Sequence, residues 1–413
     1  MQILLAQAAH ADDVPDLLGL PWDLPLDQWP DNLLVRVRDL GLARHVVRFV
    51  EAAGTLVALK EMPEELVARE RRLLTYLAEE SVPAVELLGT VTERGGEGNG
   101  ILLTRYLEFS LPYSALFQGH LSKGMTERLV DALAELLVRL HLAGFFWGDC
   151  SLANALFRRD AGALSAYLVD AETGELERSL TDGQRAWDLE LATERVAGGM
   201  ADLLAEREAL GWSKCGEPDP IWIADQLAIR YQQLWAELTR EEVIDAGERH
   251  RVEDRIRRLN ALGFDVRELV VTTAAGGSKL RISTRVVEPG FHQRELAALT
   301  GLDVGANQAR RLLNDMSGYR SWLTRKQGKE VPLGVAASRW LAEVYEPTIE
   351  AVPASLRRKL EPAELFHQVL DHRWFLSEAS GRDVGTAEAV RSFSATVLPY
   401  IPDERQVLAG GLD

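Results

Sequence analysis

Several features that define common protein classes are missing from this sequence of 413 residues. It has two cysteines, Cys150 and Cys215, which are too few for a disulfide framework and favour a reducing, cytoplasmic setting. No stretch approaches the ~18 uncharged apolar residues of a membrane span, and residues 1–18 lack the basic region of a secretory signal. We therefore expect neither a disulfide-rich secreted domain nor a membrane span.

Positive charge is scarce as well. The chain holds 46 lysine and arginine residues against 63 acidic residues, a net charge of −17. This excess repels nucleic acid and acidic membrane surfaces over most of the protein, so any site for an anion must form locally. The length predicts two or three domains, each large enough to fold without disulfide bonds or a structural metal ion.

Short apolar runs predict a small antiparallel sheet near the N-terminus. Residues 1–30 contain four prolines, which rule out a long regular element, so we interpret them as a lead-in that packs on another part of the chain. Five strand-like runs follow, separated by turn-like connections. They span residues 33–37, 46–50, 55–59, 85–91 and 101–107.

A helix with an acid on its apolar face is predicted between the third and fourth strands. Pro63 suits its first turn, and Glu64 and Glu65 complement the helix dipole there. Glu70 lies on the leucine stripe, where an acid requires a cationic partner. Lys60, at the end of the preceding strand, is the partner that the context offers; alternatively, Glu70 lies at the edge of the stripe and pairs with a neighbouring arginine.

A polar loop follows a second, leucine-rich helix that is predicted over residues 126–143 with Thr126 as its cap. In the stretch 145–157, Asp149 and Asn154 stand five residues apart. A kinase catalytic loop separates its proton-accepting aspartate and metal-binding asparagine by the same distance. Taken alone the pair is weak evidence, because aspartate and asparagine are common in turns.

Five side chains match, in their order along the chain, the parts that phosphoryl transfer from ATP requires. In such a site a strand lysine held by a helix glutamate neutralises the phosphates, and an aspartate orients or deprotonates the attacking hydroxyl. An asparagine and a second aspartate hold Mg²⁺. We predict Asp149 as the catalytic residue, Lys60, Glu70, Asn154 and Asp170 as cofactor-binding residues, and Asn154 and Asp170 as the metal ligands.

Residues 31–210 resemble the protein-kinase-like superfamily. The closest similarity is to bacterial lipopolysaccharide-kinase-like and aminoglycoside-phosphotransferase-like proteins, whose helix end and catalytic loop resemble residues 140–144 followed by Gly148, Asp149 and Asn154. The whole chain also resembles a bacterial family that joins such a segment to a C-terminal domain of unknown function. The resemblance implies a two-lobed kinase fold with ATP in the cleft and the roles given above, but no particular acceptor.

Departures from the kinase pattern leave a pseudokinase, which binds nucleotide without transferring phosphate, as an alternative. The first hairpin has no GxGxxG motif and offers only Gly41, and Trp147 and Gly148 replace the usual His-Arg pair. Asp170 is followed by an alanine and Glu172 rather than by Phe-Gly. Glu172 is either a second metal ligand or a surface acid, and we favour the surface acid.

Two residues near the loop have roles other than catalysis in this interpretation. Cys150 adjoins Asp149, whose carboxylate raises the pKa of the thiol, and this favours a packing residue over a nucleophile. Asp188 either anchors the catalytic loop from below, as an aspartate does in kinases, or faces solvent.

The fold class predicted for the chain is α+β. A two-lobed kinase-like fold, with a small antiparallel sheet lobe and a helical lobe, precedes a mostly α-helical C-terminal domain that contains a β-hairpin over residues 264–287. Glycines and prolines in residues 211–220 mark the best boundary. The predicted parts are a lead-in at 1–30, the two lobes at 31–108 and 109–212, and the C-terminal domain at 220–413.

A rival function comes from residues 291–316, which predict a helix, a tight turn at Gly301 and a second helix. This pattern resembles a helix-turn-helix, and residues 291–330 hold seven basic against four acidic side chains. The excess is small and helical hairpins of this length are more often core. Nucleic acid is therefore disfavoured as a partner, although a nucleic-acid-binding regulator stays an alternative.

The function predicted from the sequence is an ATP- and Mg²⁺-dependent phosphotransferase. We expect its acceptor to be a hydroxyl of a small molecule or of a lipid or sugar rather than of a protein. The reason is that no obvious activation segment lies between Asp170 and the helix predicted from Gly183. The alternative is a pseudokinase that acts as a regulatory or scaffold protein.

Overall fold

The structure, a computed structural model, divides the described chain into two compact units. The first holds Met1–Arg158 and Ala166–Tyr231, and the second holds Arg159–Ser165 and Gln232–Arg405. The sequence-based division into a lead-in, two lobes and a C-terminal domain stays a prediction. The described residues are 1–6, 13–37, 44–52, 54–95, 99–116, 123–211, 217–239, 242–245, 268–273, 279–285, 290–401 and 403–404.

A five-stranded antiparallel sheet begins the first unit, with strands in the order β1-β4-β5-β3-β2. Lys60, on the central part of β3, pairs in register with Val47 on β2 and Leu102 on β5. Side chains on one face, among them Val57 and Leu59, enter a hydrophobic core. The strands are β1 (Gln2–Leu5), β2 (Val46–Ala52), β3 (Thr55–Pro63), β4 (Leu87–Thr92) and β5 (Asn99–Arg105).

The N-terminal part of this sheet differs from the prediction. Gln2–Leu5 forms an edge strand that the high proline content of the lead-in concealed, and Trp22 and Trp29 are buried in the core under the sheet. The strand predicted at residues 33–37 is wrong. After Pro30 the chain instead makes the 3-10 turn Asp31–Leu33, since proline followed by aspartate favours a turn.

Helix α2 (Glu64–Glu79) follows β3 as predicted, with Pro63 before its first residue and two acids in its first turn. Its buried residues include Glu70 among apolar side chains such as Leu73, Leu74 and Leu77. The prediction of an acid on the inward face of this helix is confirmed.

The rest of the first unit is mostly helical. Helix α4 starts at Lys123, so Thr126 is a buried residue inside the helix and the prediction of Thr126 as its cap is wrong. The strand β8 (Ala155–Asp160) was not predicted, because its charged residues hide the alternation. The elements are α1 (Asp13–Leu18), β6 (Ser110–Leu111), α3 (Tyr113–Leu116), α4 (Lys123–Leu142), β7 (Phe145–Phe146), β8 (Ala155–Asp160), β9 (Ala163–Leu168), β10 (Glu175–Leu176), α5 (Asp182–Ala209) and α6 (Pro220–Thr239).

The second unit combines a three-stranded sheet in the order β11-β13-β12 with a group of helices. The predicted hairpin is present as β12 and β13, and a third strand, β11, pairs with β13. The elements are β11 (Glu242–Asp245), β12 (Glu268–Thr273), β13 (Lys279–Arg285), α7 (Phe291–Thr300), α8 (Ala306–Gln327), α9 (Leu333–Trp340), α10 (Glu346–Glu350), α11 (Ala354–Arg357), α12 (Pro362–Ser380) and α13 (Gly385–Thr396).

The predicted helix-turn-helix is the helical hairpin α7–α8, whose turn begins at Gly301. Leu296 on α7 and Leu312 on α8 belong to one hydrophobic cluster with Trp340 and Phe366. The hairpin therefore contributes to the core of the helical unit.

The α+β class is confirmed, with a small antiparallel sheet followed by helices and with a C-terminal helical region. A small antiparallel sheet carries Lys60, and the helices α4 and α5 flank the predicted catalytic loop. In the described part of the chain, no helix has the length and apolarity that crossing a bilayer would require.

Candidate active site

The centre of the site is the ammonium group of Lys60, which joins two acids that lie far away in the sequence. Lys60 Nζ is 3.1 Å from Glu70 Oε2 on α2 and 2.9 Å from Asp170 Oδ2, which follows β9. The N–H of Ala171 donates to Glu70 Oε1 at 3.4 Å. Helix α2 is therefore tied to the segment after β9, and three of the five predicted site residues lie together.

Electrostatics in this group favour a bound cation. Burial lowers the pKa of Lys60, but the carboxyl groups of Glu70 and Asp170 raise it more, so the pKa lies above its usual value. Burial also raises the pKa of Glu70, to about 7, against the attraction of Lys60. The shift of Lys60 therefore comes from the neighbouring acids, and that of Glu70 comes mainly from burial.

Glu172 adds a third acid, and the expectation that it is a surface acid is wrong. Its side chain is only 8% exposed, and its carboxyl oxygens accept from Arg44 Nη1 at 2.8 Å and contact His45 Nε2 at 2.9 Å. It also lies 3.5 Å from Lys60 Nζ. Three cationic or titratable partners explain how the carboxylate can be buried.

The donor set fits a hard divalent cation. Among the described residues, oxygen atoms of Glu70, Asp170 and Glu172 lie within 4.8 Å of one another. Carboxylate oxygens are the ligands that Mg²⁺ prefers, and it is usually held by one or two of them together with substrate phosphates. Because the Glu70 side chain is fully buried, whereas those of Asp170 and Glu172 are 27% and 8% exposed, Asp170 and Glu172 are the better candidates in this set.

The predicted metal ligand Asn154 is placed next to Asp170 by the backbone. Val169 N donates to Asn154 O at 3.0 Å, so the residue before Asp170 is hydrogen-bonded to Asn154. The Asn154 side chain donates through Nδ2 to the backbone oxygen of Asp149 at 3.1 Å. The side-chain oxygen of Asn154, the atom that would bind a metal, does not take part in this hydrogen bond.

Asp149 is paired with an arginine that the sequence analysis did not identify. Arg195 Nη1, on α5, donates to Asp149 Oδ1, and the Asp149 side chain is 18% exposed. Arg195 therefore contacts the catalytic loop from helix α5. Asp188 precedes Arg195 by seven residues on that helix, so the two share a face, and this spacing is the signal that could have revealed it.

Asp188 anchors the catalytic loop, as one of the two alternatives predicted. Its carboxylate accepts from Trp147 N at 2.7 Å and from Gly148 N at 2.8 Å. Gly148 has φ +71°, a conformation that favours glycine and explains this residue beside the tryptophan. Asp188 is fully buried, so the two backbone donors are held by a desolvated charge.

Two further side chains, His141 and Tyr231, extend the hydrogen-bond network of Asp188. His141 Nε2, near the end of α4, is 3.0 Å from Asp188 Oδ2, and His141 Nδ1 is 2.6 Å from Tyr231 Oη. Burial lowers the pKa of His141, although Asp188 opposes the shift. The chain Tyr231–His141–Asp188 thus fixes the loop from within the first unit.

Cys150 is a packing residue, as predicted. The thiol is fully buried, and burial, followed by the charges of Asp188 and Asp149, raises its pKa well above the usual value. A thiol with a raised pKa is a poor nucleophile. The two other sequence features that bear on the site, Gly41 and Cys215, lie outside the described residues.

A cavity of about 360 Å³ lies between α2 and the segment after Asp170, beside the Lys60 group rather than at it. Arg69 crosses this region, since its Nη2 atom donates to Gly174 O at 2.9 Å. The contact gives α2 a second tie to the same segment, four residues beyond Asp170.

Two known protein families match separate parts of the chain. Residues 54–196 match the Lipopolysaccharide kinase (Kdo/WaaP) family, and this segment contains all five predicted site residues together with Asp188 and Arg195. Residues 233–398 match a Domain of unknown function (DUF4032). The predicted resemblance is therefore confirmed, and the family match supports a kinase-like phosphotransferase.

Solved structures show distant similarity, and no curated protein gave a match. A structure of WaaP in complex with acyl carrier protein is 16% identical, with a TM-score of 0.36, over 63% of this chain and 99% of that one. A structure of the BubR1 kinase domain is 12% identical, with a TM-score of 0.34, over 60% of this chain and 94% of that one. The chain thus joins a segment similar to the lipopolysaccharide kinase family, residues 54–196, to a segment that matches a domain of unknown function, residues 233–398.

Proposed function

We propose that this protein transfers a phosphoryl group from ATP to a hydroxyl group in a Mg²⁺-dependent reaction. The observation that carries the proposal is the pairing of Lys60 with both Glu70 and Asp170, at 3.1 and 2.9 Å. A lysine held in this way by a helix glutamate is the arrangement that neutralises nucleotide phosphates in kinases. The two acids hold the ammonium group in place before any nucleotide binds.

Metal binding in this proposal falls to Asp170 and Asn154, with Glu172 as an additional carboxylate. A Mg²⁺ ion held by these residues would supply positive charge against the charge that develops on the phosphates. Lys60 contacts Asp170 directly, so an arriving nucleotide must share that ammonium with the acid. Binding of ATP without the metal would add negative charge to an already acidic site.

Asp149 is the residue that we assign to the acceptor. Its carboxylate stands on a loop held by Asp188, and Arg195 orients it from α5. In this position it can accept a hydrogen bond from the attacking hydroxyl and take its proton as the new bond to phosphorus forms. Arg195 holds the Asp149 side chain by an ion pair from α5.

The acceptor that we propose is a hydroxyl of a small molecule, a lipid or a sugar. Only residues 171–181 separate Asp170 from the start of α5, and within them lies the short strand Glu175–Leu176. A segment this short offers little platform for an extended peptide. The family of residues 54–196 takes its name from lipopolysaccharide kinases, which is consistent with such an acceptor.

The experiment compares Asp149→Ala with the wild type in two assays that need no identified acceptor. We expect slow hydrolysis of ATP, with water as acceptor, to fall by about 10²- to 10⁴-fold, the usual share of a positioned proton acceptor. Thermal stabilisation by ATP and Mg²⁺ should be retained, because Asp149 is not placed among the phosphate or metal ligands. A ligand present at a hundred times its dissociation constant raises the free energy of unfolding by ~2.7 kcal/mol.

Asp182→Ala is the control for this experiment, because the Asp182 side chain is 98% exposed and pairs only with Arg185 on the same helix in the described contacts. It should match the wild type in both assays. Loss of ATP binding in Asp149→Ala would show that the role is misassigned. Unchanged hydrolysis in that variant would contradict catalysis by Asp149, and stabilisation of the wild type by duplex DNA instead of ATP would favour a nucleic-acid-binding protein.

A further inference from the structure

The hairpin β8–β9 connects the two residues that we propose as metal ligands. Strand β8 begins at Ala155, directly after Asn154, and β9 ends at Leu168, two residues before Asp170. The strands up to Arg158 and from Ala166 belong to the first unit, whereas the tip, residues 159–165, belongs to the second. One short hairpin is thus part of both units.

Asp160, at the tip, performs the function of a helix cap for α8. Its Oδ1 accepts from Gln308 N at 2.7 Å, and its Oδ2 accepts from Asn307 N at 3.1 Å. These N–H groups lie in the first turn of the helix, where no intrahelical acceptor is available. Gly305 occupies the cap position and has no side chain, so Asp160 supplies from a distant part of the chain what a capping residue supplies locally.

The fit between the tip and α8 is close. A Cβ atom added to Gly305 would lie 2.5 Å from Asp160 Oδ1, so this position must be glycine for the carboxylate to reach the helix. Asp160 is 1% exposed, and Ser165 Oγ donates to its Oδ2 at 2.9 Å. The carboxylate therefore makes hydrogen bonds both within the hairpin and to the helix.

The turn itself is held from a second side. Ala161 has φ +54°, which is unfavourable for a residue with a Cβ atom, and the following Gly162 has φ +88°. The N–H of Ala161 donates to Glu364 Oε2 on α12 at 2.9 Å. Without α12, the N–H of Ala161 would lose this acceptor, which helps to keep the turn in its conformation.

We propose that Asp160 is a positioning residue for the metal site. By capping α8, Asp160 attaches the tip of the hairpin to the C-terminal helical domain. Strands β8 and β9 then hold Asn154 and Asp170, at the base of the hairpin, in fixed positions. The base is closed by the bond from Val169 N to Asn154 O. The domain of unknown function would then be required for metal-nucleotide binding. This inference rests on the function proposed above.

Three variants of the full chain test the inference. Asp160→Ala removes the cap, and Gly305→Ala pushes the carboxylate away while every acceptor stays present; at φ −61° the backbone of residue 305 accepts alanine. Val390→Ala is the control, because Val390 is buried in a cluster of the second unit that contains no residue of the hairpin. It lowers the stability of that unit without touching the hairpin.

Two measurements are made on each variant. The first is hydrogen–deuterium exchange of residues 149–158 and 166–170 without any ligand. The second is the Mg²⁺ concentration that half-saturates ATP binding. We expect Asp160→Ala and Gly305→Ala each to speed exchange in these segments and to raise that concentration about tenfold, the lower end of the effect seen for partners of metal ligands. Val390→Ala should change neither.

The inference is overturned if Val390→Ala produces the same changes, since general instability would then explain them. It is also overturned if either hairpin variant leaves both measurements unchanged. Absence of Mg²⁺–ATP binding in the wild type would instead contradict the proposed function, and the exchange data would still decide whether the hairpin depends on its cap.

Discussion

Glu172 links the proposed metal site to the residues in front of β2. Its carboxylate contacts both Arg44 and His45, and it lies 3.5 Å from Lys60. A carboxylate that is only 8% exposed needs partners of this kind, because an unpaired buried charge is costly. The position of Glu172 beside Asp170 suits the role of additional metal ligand that we propose for it.

At this position we predict that Glu172→Gln weakens metal binding and leaves the fold intact. The Mg²⁺ concentration needed for half-maximal thermal stabilisation by ATP should rise about tenfold, because one charged oxygen ligand is lost. Glu175→Gln, which changes an exposed acid on β10, is the control and should behave like the wild type. If the two variants show the same Mg²⁺ dependence, Glu172 serves only to hold Arg44 and His45.

Single residues could be predicted where their order along the chain is informative. Lys60, Glu70 and Asp170 were predicted to share one site because each has the residue type and the element that phosphate binding requires. Arg195 was not predicted, since an arginine on a helix is usually solvent-facing and its partner Asp149 is 46 residues away. The burial of Glu172 also depends on its partners, which no local pattern reveals.

Among the larger elements, the hairpin tip and α12 bring acids together in the second unit. Glu404 pairs with Arg159, and Glu361 and Glu364 lie near enough to influence its charge. Burial raises the pKa of Glu404 from its ordinary value of 4.5 to about 7, although Arg159 opposes the shift. The folded protein therefore holds a proton at this group where the unfolded chain has released it.

The shift of Glu404 predicts a pH dependence of stability. Between pH 4.5 and about 7 the folded state binds more protons than the unfolded state, so the free energy of unfolding falls as the pH rises through this window. The variant Glu404→Gln should lack this contribution, which amounts to at most about 3 kcal/mol. Urea unfolding of both proteins at pH 5 and at pH 7.5 measures the difference.

Glu330→Gln is the matched control, because Glu330 also pairs with an arginine but its side chain is 85% exposed. Its stability should follow the wild type at both pH values. Equal pH dependence in wild type and Glu404→Gln would mean that Glu404 is ionised in the folded protein over the whole window.

Elements could be predicted where periodicity is strong and unbroken. Helices α2, α4 and α5 follow their leucine and tryptophan patterns to within a few residues at each end. Strands β1 and β8 were missed, since a short edge strand and a strand of alternating charged residues carry little hydrophobic signal. The capping of α8 by Asp160 is a contact between segments 147 residues apart, so no local pattern could indicate it.

For the molecule as a whole, charge limits how ATP can bind. A net charge of −17 repels a polyanion, and the group around Lys60 itself contains three acids. In the proposed site Mg²⁺ would reduce the negative charge of ATP and would also bind Asp170 and Glu172. We therefore expect nucleotide affinity to depend strongly on the metal, and less on general attraction by the protein surface.

The most direct test is isothermal titration calorimetry of ATP into the 413-residue chain, with and without Mg²⁺, for the wild type, Asp170→Asn and the exposed control Asp182→Asn. The proposed site predicts one ATP per chain in the presence of Mg²⁺ for the wild type and Asp182→Asn, much weaker binding without the metal, and loss of the Mg²⁺-dependent binding in Asp170→Asn. Binding of Mg²⁺–ATP to Asp170→Asn with the affinity of the wild type, or no binding to the wild type, would contradict it.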